Sequence, residues 1–131
     1  QVLLFYFLFS FLFSFLFSLF SSISLHIPFA TKKIVSSVTS VLEKAGLEAD
    51  QIRYFVPHQA NARIVETAAK KLKVPMEKFY VNIEEYGNTS AASIALALNE
   101  LQEKGLLERG DRIVLCGFGG GLSWGTILLT W

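Results

Sequence analysis

A chain of 131 residues with a single cysteine is bounded to one small domain, with neither a disulfide framework nor the Cys/His spacing of a zinc site. Its 12 Lys and Arg against 11 Asp and Glu give a net charge of +1 and no electrostatic footprint for nucleic acid. The 52% apolar share is concentrated at the front, and the lone Cys116 reads as the thiol of an intracellular, metal-free protein.

Residues 1–31 carry no Asp, Glu, Lys or Arg, and Phe7 to Ser18 is three copies of Phe-Leu-Phe-Ser. About 20 apolar residues suffice to cross a bilayer as a helix, and Lys32 and Lys33 follow as flanking cations, so residues 2–20 would be a membrane anchor if genuine. No cation precedes the run and no small-residue cleavage pattern follows it, which excludes a secretory signal. Phe, Leu and Ser share pyrimidine-rich codons, so translation of a short tandem tract is the favoured reading, and residues 1–28 are set apart as a low-complexity segment.

From Phe29 the composition is that of a globular α/β domain covering residues 29–131. Ile34, Val35, Val38, Val41 and Leu42 recur at helical spacing and Ala45–Gly46 supplies a left-handed stop, which predicts a helix over about Lys32 to Lys44. Ile52 to Val56 is short, β-branched and aromatic and runs into Pro57. It predicts a buried strand that delivers His58 at its C-terminal end. Ile64, Val65, Ala68, Ala69 and Leu72 predict a second amphipathic helix that opens near Asn61 and stops before Pro75. Phe79 to Asn82 predicts a short strand.

After Tyr86–Gly87, residues Asn88, Thr89 and Ser90 are of helix-capping type. The run from Ala91 through Leu101 is apolar nearly all round at its start, which predicts a buried helix. Arg112 to Cys116 reads as a central strand, Phe118 to Leu122 as a glycine-rich turn and Ser123 to Thr130 as a closing antiparallel strand. The expected fold class is α/β, a mixed sheet with a buried central helix.

Three motifs in this order, His58-Gln-Ala-Asn-Ala-Arg63, Tyr86-Gly-Asn-Thr-Ser-Ala-Ala-Ser93 and Gly117-Phe-Gly-Gly-Gly-Leu-Ser-Trp-Gly125, resemble the C-terminal half of the 3-oxoacyl-[acyl-carrier-protein] synthase III family. The resemblance spans residues 29–131 and implies one half of a thiolase-like fold. It implies a decarboxylative Claisen condensation of an acyl-CoA primer with malonyl carrier protein, the step that starts fatty-acid synthesis, with no cofactor and no metal. His58 and Asn88 would stabilise the enolate, the Gly120 N–H would serve an oxyanion hole, and Phe118 would wall the malonyl pocket. Asn61 and Arg63 would border the pantetheine tunnel. Arg63, Lys70 and Lys71, close together on one helix, would meet an acidic acyl carrier protein.

The resemblance also implies that the nucleophilic cysteine belongs to an N-terminal half not present in these residues, that Cys116 does not replace it, and that the fragment by itself is inactive. The parent enzyme would be a homodimer in bacterial cytoplasm or plastid stroma. Ala95, where the family often has proline, is a departure without catalytic consequence. Two other readings stand beside this one. The chain could be a non-catalytic half-domain that binds carrier protein or a dimer partner, or a related polyketide-type synthase, since those also pair one histidine with one asparagine.

Overall fold

The computed structural model describes residues 28–119 and 123–131. The reading of residues 1–28 as a low-complexity segment or membrane anchor lies outside the described residues except at Pro28, which opens helix α1, and the assignment of Gly120 lies outside them as well. Helix α1 spans 28–45, strand β1 Tyr54–Pro57, helix α2 Ala62–Leu72, the single turn α3 Ile83–Tyr86, helix α4 Ala92–Glu103, and strands β2 Arg112–Gly119 and β3 Ser123–Thr130. The sheet order is β1-β2-β3, with β1 parallel to β2 and β2 antiparallel to β3. A mixed sheet with its closing hairpin is what the strand chemistry predicts.

The period-two alternation of the strands decides which helix lies on which face. Phe55, Val114 and Cys116 point to one side, into a core with Ile34, Val38 and Leu42 of α1 and Ile64, Val65, Ala68 and Ala69 of α2. Val56 and Ile113 point to the other, against Ala97 and Leu101 of α4. The arrangement is a three-layer α-β-α unit. It explains why β1 and β2 read as continuous apolar runs, since a strand covered on both faces has no polar side to show. Burying a residue such as Leu101 fully contributes about 1.5–3 kcal/mol, so the layers hold through a few well-covered side chains.

The ends of α1 and α2 follow from local chemistry. At Gly46 the backbone turns left-handed at φ 64, and Leu47 N–H donates to Leu42 C=O, closing a Schellman stop that costs a residue without Cβ little. Helix α2 opens on Asn61, whose Oδ1 accepts from Arg63 N–H at 2.9 Å. It closes on Lys73 in the left-handed region at φ 56.

Three expectations are corrected. Helix α1 begins at residue 28, a turn earlier than the charge boundary at Lys32 suggests. The strand expected over Phe79 to Asn82 is reduced to one parallel bridge, Phe55 with Phe79, after which the chain forms α3. Asn82 is held there by side-chain partners: its N–H donates to Gln59 Oε1 and its amide to Glu100. On α4, Ser93, Ala97, Glu100 and Leu101 are buried, while Ile94, Leu96 and Leu98 are half-buried. The helix thus has one covered face.

Candidate functional site

His58 leaves β1 where the parallel ladder ends. Its N–H donates to Cys116 C=O at 2.8 Å, continuing the Pro57–Cys116 register by one bond before the chain turns into α2. Gln59 is buried behind it at 2% exposure, and every polar end of its amide is used. Nε2 donates to Pro57 C=O at 2.8 Å and Tyr80 C=O at 3.1 Å, and Oε1 accepts from Asn82 N–H at 3.1 Å. A carboxamide so engaged fastens the strand end to the Tyr80–Asn82 segment, which limits the freedom of the imidazole beside it.

Asn88 arrives from the other direction. Gly87 closes α3 at φ 68 and ψ −161, a region essentially restricted to glycine, and this bend sends the chain toward the sheet end. Asn88 Oδ1 accepts from Ser90 N–H at 3.0 Å, while Ser90 itself holds φ 54. A backbone N–H can only donate, so the atom facing it is the oxygen and the amide NH₂ is left for other acceptors.

His58 also has a neighbour of this kind, its Nδ1 lying 2.7 Å from Ser93 Oγ. Burial pushes the imidazole below its usual value of 6.5, so the ring is neutral at physiological pH and carries one N–H.

Both residues line one cleft of about 600 Å³ at the end of the sheet, together with Ser90, Ile94, Phe118 and Trp124. Phe118 meets the His58 ring edge to face at 5.2 Å between centroids. Trp124 is held by α1, where Lys33 Nζ stands 3.6 Å over its ring and Phe29 packs against it at 5.9 Å. The cleft is open to solvent, with apolar side chains and a few polar groups converging on it.

The structure brings His58, Asn88 and Phe118 together, and it sets the other site candidates among the described residues apart. Asn61 acts as the α2 cap, and Arg63, Lys70 and Lys71 are exposed on α2, away from the cleft lining. Cys116 is buried at 3% exposure between Ser37 and Thr126, and burial raises its thiol above the ordinary range. A thiol kept protonated is a poor nucleophile, which agrees with the expectation that Cys116 takes no catalytic part.

Ser93, Gln59, Ser90, Ile94 and Trp124 escaped the reading of the sequence as site residues. The signal for Ser93 was present, a hydroxyl five positions after Asn88 on the first turn of a helix whose first half is otherwise apolar.

Residues 42–131 match the family model described as 3-oxoacyl-[acyl-carrier-protein (ACP)] synthase III C terminal. The chain is 57% identical over 103 residues to a beta-ketoacyl-[acyl-carrier-protein] synthase III of Clostridium acetobutylicum, covering 79% of this chain and 32% of the relative. The corresponding protein of Clostridioides difficile is 50% identical over 103 residues, covering 79% of this chain and 31% of its own length. Among solved structures, the synthase III of Pseudomonas aeruginosa superposes with a TM-score of 0.80 at 42% identity, over 82% of this chain and 34% of that one. The C143A form of OleA from Xanthomonas campestris superposes with a TM-score of 0.77 at 26% identity, over 84% and 32%. The chain spans about a third of the length of the curated relatives it matches.

Proposed function

The chain belongs to the 3-oxoacyl-[acyl-carrier-protein] synthase III family as a stretch of its C-terminal domain, and from that premise we propose that its cleft is the decarboxylating side of a β-ketoacyl carrier-protein synthase site. The observation that carries the reading is the shared polarity of His58 and Asn88. Asn88 Oδ1 is taken by Ser90 N–H, which leaves its NH₂ to donate, and the neutral imidazole of His58 carries one N–H, both residues lining the same cleft.

Two such donors suit an oxygen that gains charge. When a malonyl thioester loses carbon dioxide, the C–C bond to the carboxylate breaks and its electron pair moves onto the thioester oxygen as an enolate. N–H groups already aimed at that oxygen stabilise the transition state without reorganising. The enolate carbon then attacks the acyl group of a primer thioester, forming the new C–C bond and expelling the thiolate that carried the acyl group. Phe118, half-buried against His58, gives the malonyl carboxylate an apolar wall that favours its departure as neutral carbon dioxide. The Gly120 N–H is assigned to the oxyanion of the acyl thioester.

Asn61 and Arg63 are assigned to the pantetheine entry, with Arg63, Lys70 and Lys71 as an exposed basic rim for an acidic carrier protein. Acyl-CoA and malonyl carrier protein are the proposed substrates, without a cofactor. The nucleophile is assigned to a cysteine in the remainder of the synthase, since Cys116 is buried and protonated. The chain alone is therefore inactive in condensation. Identity of 50–57% to the synthases against 26% to OleA favours an initiating synthase over a more distant condensing enzyme.

The test is a chimera in which residues 29–131 replace the matching segment of the Clostridium acetobutylicum relative. Changing His58→Ala or Asn88→Ala should lower the condensation rate about 10²–10³-fold. A loss under about threefold in both variants sinks the reading.

A further inference from the structure

Ser93 has no role in the proposed chemistry, yet it is the hydroxyl that joins the two segments forming the cleft. It is buried at 2% exposure on the first turn of α4, five residues after Asn88. Its Oγ lies 3.2 Å from Gln59 N and 2.7 Å from His58 Nδ1. Gln59 N–H can only donate, so at that contact Oγ accepts. The hydroxyl hydrogen then has one acceptor among the described residues, His58 Nδ1.

We infer that Ser93 is a positioning residue that selects the tautomer of His58: by donating to Nδ1 it keeps that nitrogen unprotonated and places the ring proton on Nε2, toward the cleft. The choice has a consequence for the reaction. With the proton on Nδ1 the ring would present a lone pair to the enolate oxygen, and two electron-rich atoms would repel. With the proton on Nε2 it presents a donor, as Asn88 does. A buried hydroxyl suits this task because it adds no charge and leaves the ring neutral. Gln59 N–H holds the hydroxyl oxygen from behind, so a rotation that withdrew its hydrogen from Nδ1 would leave that hydrogen without a partner in a buried place.

This inference rests on the proposed role of His58 for its meaning, and its test is independent of that role. The full chain contains two histidines, His26 and His58, so the ring nitrogens of His58 can be assigned by comparing the ¹⁵N-labelled protein with its His26→Gln variant. At a pH where the ring is neutral, long-range ¹H–¹⁵N spectra should show His58 as a single Nε2–H tautomer. Ser93→Ala should lose that single pattern and give a mixture of both tautomers, while backbone amide spectra keep the native dispersion. Ser93→Thr, which keeps the hydroxyl, should restore it. A wild-type ring protonated on Nδ1 overturns the inference without any variant, and so does an Nε2–H pattern that persists unchanged in Ser93→Ala. If the tautomer responds to Ser93 while His58→Ala leaves the chimera active, the inference stands and the catalytic reading of His58 falls.

Discussion

His58 and Asn88 are ordinary residue types whose usefulness depends on what their unused atoms face. Each is approached by a short polar neighbour of the same motif, His58 Nδ1 by Ser93 Oγ and Asn88 Oδ1 by Ser90 N–H. Burial gives His58 a further property that stability measurements can read. Its value is lowered from 6.5, so between that value and the folded-state one the unfolded chain binds a proton that the folded chain refuses. The unfolding free energy should therefore decline as pH falls through 6.5 and level off below the folded value. Urea titrations at about pH 7.5 and about pH 5.5 should show wild type losing more stability than His58→Asn, and equal losses would mean that the imidazole is not desolvated. Glu100 titrates in a separate window. Its hydrogen bonds from Lys104 and then Asn82 hold it below 4.5, so its contribution is lost only in stronger acid.

The elements that matter most for the site are the shortest. Helix α3 has four residues and no run of apolar positions to announce it, yet its exit at Gly87 sets the direction in which Asn88 leaves. Among the described residues a Cβ at Gly87 would meet nothing within 4 Å, so it is the backbone angles that oppose a side chain there. Gly87→Ala should cost about 1–3 kcal/mol in thermal or urea unfolding, and in the chimera it should lower condensation more than an equally destabilising core change such as Val65→Ala. Equal effects on activity would show that Gly87 serves stability alone. Longer elements were legible because their signals are redundant. Helix α1 is marked by Ile34, Val38 and Leu42, and β2 by an unbroken apolar run, so no single residue decides either. Phe79 to Asn82 misled for the opposite reason. Its aromatic and β-branched residues suit a strand, but Asn82 is drawn into partnership with Gln59 and Glu100, and the ladder stops after one bridge.

Across the whole molecule, β3 is the last strand of the sheet as described, and it is poorly covered. Trp124, Ile127 and Trp131 are 46%, 62% and 38% exposed along and just beyond it. An open strand carrying apolar side chains is a template for association. Ile127→Lys should reduce self-association of the chain in light scattering or sedimentation while changing stability by no more than about 0.5 kcal/mol. Association that persists unchanged would locate the adhesive surface elsewhere.

The sequence by itself determined the family, through three motifs in fixed order, and most of the α/β layering, because helical and strand periodicities are properties of neighbouring residues. It also singled out His58, Asn88 and Phe118, which the fold gathers around one cleft. Only the tertiary structure decided how those residues are presented. Arg63, Lys70 and Lys71 stand apart from the cleft lining, Ser93 emerged as the partner of His58 Nδ1, and Gln59 as the tie between the end of β1 and Tyr80. The physical reason is that the Ser93 and Gln59 contacts that tie β1 to Tyr80 and α4 join residues 21 to 35 positions apart, where no local pattern constrains them, and their geometry exists only once these segments have packed at the same end of the sheet.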